Sequence, residues 1–262
     1  MTAYYNEIDP YAAQWTRNLI AAGLVAPGDV DERSIADVAA DDLRGYRQCH
    51  FFSGIAVWSY SLRLAGWDDA RAVWTGSCPC QPFSVAGKRG GMADARHLWP
   101  DWFKLIAECR PGVVFGEQVS SKDAVSWIDA VFDDLEGEGY ACGAVDFPAC
   151  GVGAPNIRQR HFWMADAAGA GPLPGAHPGI HRGEESGGSR HGEPERLGPT
   201  GGFWRAADWL WCRDEKHRPV EPGTRPLAHG AAGRVGRLRA YGNAINAQVA
   251  AEVIGAYMEA RP

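Results

Sequence analysis

The feature that most constrains this sequence is a cysteine between two prolines that comes directly after a short apolar segment. Ala72-Val73-Trp74 predicts a strand that stops at Gly76, and Cys80 then lies between Pro79 and Pro82. In open α/β proteins, loops of this kind lie at the carboxyl edge of a parallel sheet, where ligands bind. A cysteine is a strong nucleophile once it is deprotonated. The segment therefore predicts an exposed nucleophile, although an isolated Pro-Cys pair more often marks a buried structural thiol.

Length and composition favour a globular enzyme-sized chain. The 262 residues suit one α/β domain, or one domain with a small insert. No segment approaches the roughly 20 apolar residues of a membrane span, and the N-terminus lacks an export signal, so we expect a cytoplasmic protein. The seven cysteines include no CxxC pair, from which we expect reduced thiols and no bound metal.

The negative net charge is unevenly distributed. Residues 1–150 contain 12 Lys and Arg against 21 Asp and Glu, whereas residues 151–262 contain 14 against 11. The two parts therefore carry charges of −9 and +3. Tryptophans alternate with arginines in residues 203–240, which suits a nucleic-acid surface or a small packed module with a basic rim.

The order of predicted strands and helices places several polar side chains near Cys80. Asp9-Pro10 is typical of a helix start, and Ser53-Gly54-Ile55 follows a strand with a glycine turn of the kind that admits a nucleotide-like cofactor. Residues 24–46 look like a loop. The other predictions are strands at 4–8, 48–52, 113–115 and 140–147, and helices at 9–22, 58–65, 95–109, 122–138 and 246–258.

Three further side chains are candidates for the same site. Glu117 follows the strand after Cys80, and a βαβ unit brings both strand ends to one sheet edge. A carboxyl group there would have a raised pKa and could carry a proton at neutral pH; a surface glutamate is the alternative. Arg158 and Arg160 are alternate residues of a predicted strand, so both side chains project from one face and need anionic or carbonyl partners.

Together these segments resemble the bacterial and phage DNA (cytosine-5-)-methyltransferase family. Residues 79–84, Pro-Cys-Gln-Pro-Phe-Ser, look like the active-site motif, and residues 117–119, Glu-Gln-Val, resemble the Glu-Asn-Val motif. Residues 156–160 are similar to Gln-x-Arg-x-Arg, with Asn156 in place of the leading glutamine. The resemblance covers residues 4–165 and 233–260, with the motifs in family order except at the N-terminus.

The resemblance implies an α/β, Rossmann-like S-adenosylmethionine-dependent methyltransferase fold with a small target-recognition insert. The catalytic domain would comprise residues 1–165, completed by 241–262. The target-recognition region would comprise 166–240, of which 167–202 are expected to be flexible because they contain few large apolar side chains.

The family's cofactor is S-adenosyl-L-methionine, and Glu7 takes the place of the carboxylate that binds its ribose. This motif normally follows the glycine turn, but here it precedes it, which predicts a rearranged strand order with the same final site. Ala56-Val57 stand where the family has two glycines and would crowd the cofactor or strain the turn, and Ser34 stands at a usual aspartate. The implied cofactor residues are Glu7, Ile35, Phe52, Ser53, Gly54, Ile55, Pro79, Asn243 and Ala244.

The implied reaction is methyl transfer to carbon 5 of cytosine in double-stranded DNA, through a covalent Cys80 adduct on a flipped-out base. Glu117 would protonate the ring, and Arg158 or Arg160 would hold the base carbonyl. The partner is double-stranded DNA, and we expect a monomer in a bacterial or phage-infected cell, with a role such as restriction-modification. The implied DNA-binding residues are Gln81, Ser84, Lys88, Arg89, Arg213, Arg218 and Arg237.

Two alternatives remain open at this point. An RNA cytosine-5 methyltransferase would carry the same catalytic residues. A methyltransferase fold that only binds DNA is the second, and Ala56-Val57 are its main support.

Overall fold

A seven-stranded mixed sheet forms the centre of the protein. The computed structural model describes residues 2–79, 98–154, 156–168, 208–211, 217–220 and 242–261. The strands of the sheet are β1 (Ala3–Asn6), β2 (Gly28–Asp31), β3 (Gln48–Phe51), β4 (Val73–Gly76), β5 (Val113–Val119), β6 (Ala141–Pro148) and β7 (Gln159–Asp166). Two further strands, β8 (Asp208–Trp211) and β9 (His217–Val220), pair as an antiparallel hairpin within the predicted target-recognition region.

The strand order explains how the Glu7 motif and the glycine turn can meet although their order in the chain is reversed. The order across the sheet is β2-β1-β3-β4-β5-β7-β6, and the first five are parallel. β7 is antiparallel to both β5 and β6. The α/β fold class predicted from the sequence is therefore confirmed, including the rearranged strand order. The N-terminal strand β1 lies beside β3, although 41 residues separate the end of β1 at Asn6 from the start of β3 at Gln48.

The helices connect and cover the sheet, and their ends carry local signals. They are α1 (Pro10–Ala21), α2 (Ala40–Leu43), α3 (Val57–Leu64), α4 (Trp99–Cys109), α5 (Lys122–Gly137) and α6 (Ala247–Ala260). Asp9 caps α1 by accepting hydrogen bonds from the backbone N–H groups of Tyr11 and Ala12, as predicted. Asn246 caps α6, and its side chain accepts a hydrogen bond from the Val249 backbone N–H. None of the helices in the described parts of the chain is long and apolar enough for a membrane crossing.

The prediction of a loop over residues 24–46 is also wrong. This region contains β2, a short 3₁₀ helix at Ile35–Asp37 and α2. β2 is an edge strand of four mostly polar residues, so it carries little of the apolar pattern that marks a strand in sequence. Its pairing with β1 depends on a close approach: a Cβ at Gly28 would lie 1.9 Å from the Ala3 carbonyl oxygen.

Tryptophan side chains hold β4 and β5 in position below the candidate site. Trp102 and Trp163 are almost completely buried, with ring centroids 5.8 Å apart. A Cβ at Gly76 would lie 2.6 Å from the Trp102 ring, and one at Gly116 would lie 2.0 Å from the Trp163 ring. The two glycines therefore allow indole rings to pack directly on the strands that lead to the site.

The C-terminal helix covers the other face of the sheet. Val249 and Ile254 of α6 pack in one core cluster with Leu62 of α3 and Phe115 of β5. The Tyr257 hydroxyl donates a hydrogen bond of 3.2 Å to the buried Asp166 carboxylate. This packing brings residues 242–246, which precede α6, to the carboxyl edge of the sheet.

Candidate active site

A cavity of about 620 Å³ lies at the carboxyl ends of the parallel strands. Its walls come from the turns after β1, β3 and β4, from β5, from the residues at the start of β7 and from the segment before α6. The lining residues on which the argument depends are Glu7, Phe52, Gly54, Ser77, Cys78, Pro79, Glu117, Gln118, Arg158, Arg160 and Asn243. The cavity is within the size range of small-molecule sites, about 300–1,000 Å³.

Glu7 connects the turns after β1 and β3. One carboxylate oxygen accepts a hydrogen bond of 2.9 Å from the Asp9 backbone N–H, and the other accepts one of 2.7 Å from the Gly54 backbone N–H. These bonds are possible because β1 and β3 are parallel neighbours, with Asn6 opposite Phe51. The carboxylate is thus oriented by two backbone donors at the rim of the cavity.

The turn after β3 has an unusual backbone. Phe52, Gly54 and Ala56 all have left-handed φ angles, of 51°, 55° and 57°. Ala56 is buried in a small core cluster with Ala3 and Tyr5. The sequence predicted that a residue other than glycine at position 56 would either strain the turn or crowd the cofactor. The left-handed φ angle of Ala56 is a strained backbone conformation, and its methyl group packs in the core.

Glu117 lies in β5, two residues before its end, rather than after the strand as predicted. Its side chain is nearly buried, and its Oε1 lies 3.0 Å from Nε of Arg160. Burial raises the pKa of Glu117, while Arg160, Arg158 and a hydrogen bond from the Ser77 side chain oppose that rise. The carboxyl group therefore binds its proton more tightly than an exposed glutamate.

The two arginines reach the cavity differently from the sequence prediction. Only Arg160 belongs to β7; Arg158 precedes the strand and has a left-handed φ of 25°, so an alternation along one strand does not explain the pair. Arg158 donates hydrogen bonds to the carbonyl oxygens of Gly242, at 3.1 Å, and Ala244, at 2.7 Å. Burial lowers the pKa of the Arg158 guanidinium, and neighbouring Arg160 lowers it further. Arg158 thereby ties the segment before α6 to the site.

The approach to Cys80 is described as far as Pro79. Cys80, Gln81, Ser84, Lys88 and Arg89 lie outside the described residues. The Gln118 side-chain amide donates a hydrogen bond of 3.3 Å to the Cys78 carbonyl oxygen. The Trp58 indole N–H donates one of 3.1 Å to Ser77 Oγ. Strand β5 and helix α3 therefore hold the segment that leads to the cysteine.

The structure brings most of the other predicted cofactor residues together. Glu7, Ile35, Phe52, Gly54, Pro79 and Asn243 line the cavity. Ser53, Ile55 and Ala244 are next to lining residues, and Ser53 and Ile55 are buried. Of the predicted DNA-binding residues, Arg213 and Arg237 also lie outside the described part of the chain, and Arg218 is described only through the backbone of β9. Their roles remain predictions.

Sequence reasoning missed several residues of the cavity wall. Ser77 and Cys78 precede Cys80 and were not singled out, although their position between a predicted strand and the cysteine was a usable signal. Asn6 and Arg33 were missed for a different reason. The Asn6 side chain donates a hydrogen bond of 2.9 Å to the Arg33 carbonyl oxygen, and this contact depends on the unpredicted strand β2.

The residues present fit S-adenosylmethionine. Glu7 offers an oriented carboxylate for hydroxyl groups, and a Cβ at Gly54 would meet no atom within 4 Å, so space is open beside the turn. Ser53 Oγ is buried, and it has no hydrogen-bond partner among the residues that the structure describes. A buried hydroxyl of this kind is normally paired, which is consistent with a polar ligand at this turn.

Comparison with known protein families finds one segment of the chain that matches a family model. Residues 69–170, from before β4 to after β7, match the family model described as C-5 cytosine-specific DNA methylase. The matched segment includes Cys80, Glu117, Arg158 and Arg160. The resemblance that the motifs predicted is therefore confirmed.

Curated relatives match this chain over segments about as long as the segment that matches the family model. The type II methyltransferase M.AluI of Cellulosimicrobium cellulans is 31% identical over 116 residues, which cover 40% of this chain and 22% of the relative. The type II methyltransferase M.HhaI of Haemophilus parahaemolyticus is 32% identical over 90 residues, which cover 33% of this chain and 28% of the relative. The chain thus spans less than a third of the length of these relatives.

Solved structures of methyltransferases align with parts of this chain at low sequence identity. A variant of Spodoptera frugiperda DNMT2 has a TM-score of 0.43 and 16% identity, covering 70% of this chain and 46% of that one. The Entamoeba histolytica methyltransferase EhMeth has a TM-score of 0.38 and 13% identity, covering 71% and 58%. The fold class rests on the sheet described above.

Proposed function

We propose that the chain methylates carbon 5 of cytosine in double-stranded DNA, because residues 69–170 match the family model described as C-5 cytosine-specific DNA methylase. One observation carries the proposal: Glu117, paired with Arg160, lines the same cavity as Glu7 and as Pro79, the residue before Cys80. A proton donor, an oriented carboxylate for a cofactor and the approach to a thiol therefore share one site.

The cofactor of the proposed reaction is S-adenosylmethionine. When bound, it supplies an electrophilic methyl group. Glu7 would hold the ribose hydroxyls, and the turn at residues 52–54 would contact the methionine part. Asn243, held close by the bonds of Arg158 to its two neighbours, would close the cavity from the other side.

The protein's own residues then activate the base. We assign Cys80 as the nucleophile, whose thiolate adds to ring carbon 6. Glu117, with its raised pKa, gives a proton to ring nitrogen 3, which neutralises the charge that builds up as the carbon–sulfur bond forms. Carbon 5 is then nucleophilic enough to accept the methyl group. A solvent base takes the carbon 5 proton, the electron pair of that bond expels the thiolate from carbon 6, and the proton on ring nitrogen 3 returns to Glu117, which restores the aromatic ring and the free enzyme.

Arg158 and Arg160 assist the same activation of the base. Arg160 holds the Glu117 carboxyl group through its Nε at 3.0 Å. Both arginines line the cavity, and we propose that one of them donates to the base carbonyl. A stacked cytosine cannot enter such a cavity, so the target base is flipped out of the duplex.

We further propose that residues 166–240 recognise the DNA target. A segment of this size makes few base contacts, from which we expect a short or degenerate site. Gln81, Ser84, Lys88, Arg89, Arg213, Arg218 and Arg237 are the DNA-binding residues of this proposal. Since the relatives include type II methyltransferases, modification within a restriction-modification system is the role we propose.

The proposal is tested by trapping the enzyme on DNA that contains 5-fluorocytosine. Fluorine cannot leave as a proton does, so an active enzyme stays bonded to its target after methyl transfer. We expect a denaturation-resistant adduct with S-adenosylmethionine present, lost in Cys80→Ala and retained in the control Cys150→Ala, which removes an exposed free thiol. An adduct that forms on RNA and not on DNA would favour the RNA alternative. DNA binding with no adduct would favour the non-catalytic one.

A further inference from the structure

Ser77 lies between the Trp58 indole and the Glu117 carboxyl group, and the function proposed above gives no role to Ser77 or Trp58. It follows β4 directly, next to Glu117 of β5 and Trp58 of α3. Its Oγ accepts a hydrogen bond of 3.1 Å from the Trp58 indole N–H, and its side chain also hydrogen-bonds to Glu117. The three side chains form a chain of hydrogen bonds from the helix to the floor of the cavity.

The chemistry of these groups sets the direction of each bond. An indole N–H can only donate, so Ser77 Oγ must accept from Trp58. The single hydroxyl hydrogen of Ser77 is then free to point toward the Glu117 carboxyl group. Trp58 is buried and packs edge-on against Phe162 with centroids 6.1 Å apart, so its N–H is held in a defined place. The helix thereby orients the hydroxyl, and the hydroxyl orients the acid.

We propose that Ser77, oriented by Trp58, is a positioning residue that fixes the Glu117 carboxyl group for proton donation to the base. The proposal rests on the function proposed above. Ser77 contacts Glu117 from β4, while Arg160 contacts it from β7. With donors approaching from two elements, the carboxyl group has a restricted rotation, and its proton is directed into the cavity.

The charged groups around Glu117 determine how loss of the Ser77 hydroxyl changes the pKa of the Glu117 carboxyl group. Arg160 of β7 and Arg158, which precedes it, face the carboxyl group and favour its ionised form, as the Ser77 hydroxyl does. Burial acts in the opposite direction and is the strongest influence. Removing the hydroxyl takes away one of the contributions that oppose the effect of burial, so the pKa of Glu117 should rise further.

The first test is a carbon-13 NMR titration of the whole protein with labelled glutamate carboxyl groups and no cofactor. The Glu117 signal is assigned by its absence in Glu117→Gln. In Ser77→Ala we expect its midpoint to move to higher pH. Ser77→Thr, which keeps a hydroxyl, should titrate like the wild type. Trp58→Phe, which keeps a ring but loses the donor, should move the midpoint in the same direction by less. An unchanged midpoint in Ser77→Ala overturns the inference.

The second test is kinetic. Ser77→Ala should lower kcat for methyl transfer by about tenfold while leaving KM for DNA within about twofold, because an acid held less precisely affects the chemical step. The control Ser61→Ala removes another buried hydroxyl, one that donates to the Val57 carbonyl within α3, and should leave kcat unchanged. An equal loss in the control would contradict positioning. If the wild type forms no product yet the NMR midpoint moves in Ser77→Ala, the proposed function fails while the hydrogen-bond chain stands.

Discussion

The backbone N–H of Gly54 donates a hydrogen bond of 2.7 Å to the Glu7 carboxylate, across 47 residues of chain. The glycine turn and the acidic turn occur in the reverse of the order that the family resemblance implies, yet they meet because their strands are parallel neighbours. The geometry of the cavity rim depends on which strand ends lie side by side. It does not depend on which strand comes first in the chain.

Glu7→Gln should weaken cofactor binding. The glutamine can still accept from one backbone donor, but it loses one of the two acceptor oxygens and the negative charge. We expect the Kd for S-adenosylmethionine to rise about 10- to 100-fold, in line with hydrogen bonds to a charged group. Calorimetry measures this directly. Glu32→Gln, which alters an exposed ion pair with Arg17, should have no effect, and equal weakening in both variants would count against the assignment.

The rate of methyl transfer should fall as pH rises through the pKa of Glu117. Burial raises that pKa, and the proposed step needs the protonated form, so the acid is present below the pKa and lost above it. Single-turnover rates measured against pH should show this loss on the basic side. In Glu117→Gln the rate should be lower by about 10²- to 10⁴-fold and the basic-side loss should vanish. A wild-type rate that keeps rising with pH would refute the role.

Gln118→Ala should slow adduct formation on 5-fluorocytosine DNA. The amide holds the Cys78 carbonyl two residues before the nucleophile, and its loss frees that segment. We expect the rate of adduct formation to fall about tenfold, since small misplacement of a nucleophile is costly. S-adenosylmethionine affinity, measured by calorimetry, should stay the same. If affinity falls and the adduct rate does not, Gln118 belongs to the cofactor side of the cavity.

Ala56→Gly should have little effect on cofactor affinity. Relief of a left-handed alanine gains about 1 kcal/mol, and loss of its buried methyl costs about the same, so the free energy of unfolding should change by less than about 1 kcal/mol. The Kd for S-adenosylmethionine should stay within about twofold because the methyl group packs in the core. A large gain in affinity would mean that Ala56 crowds the cofactor and would revive the non-catalytic alternative.

Gly116→Ala should destabilise the protein strongly. The new Cβ would lie 2.0 Å from the Trp163 ring, in a buried and closely packed region. We expect the free energy of unfolding to fall by about 3 kcal/mol, as for severe overpacking. Urea denaturation measures the change. Gly112→Ala, where a Cβ would meet nothing within 4 Å, is the matched control.

Local signals in the sequence were sufficient for many elements. Asp9-Pro10 predicted the start of α1, and the apolar segments before Gly76 and Gly116 predicted β4 and β5. β2 was not predicted, because four mostly polar residues at a sheet edge carry no apolar period and form a strand only through pairing with β1. The position of Arg158 was also not predictable, since its left-handed backbone and its bonds to the carbonyls of Gly242 and Ala244 join segments more than 80 residues apart.

The sequence by itself determined the residue types of the site, because a thiol between prolines, a glutamate after an apolar segment and paired arginines are chemical features that do not depend on the fold. It also determined the α/β class, through alternating short apolar segments and helices. Only the tertiary structure decided that Glu7 meets Gly54, that Ser77 joins Trp58 to Glu117, and that Ala56 packs in the core. These contacts link residues distant in the chain, and they are set by strand pairing and core packing, which no local pattern encodes.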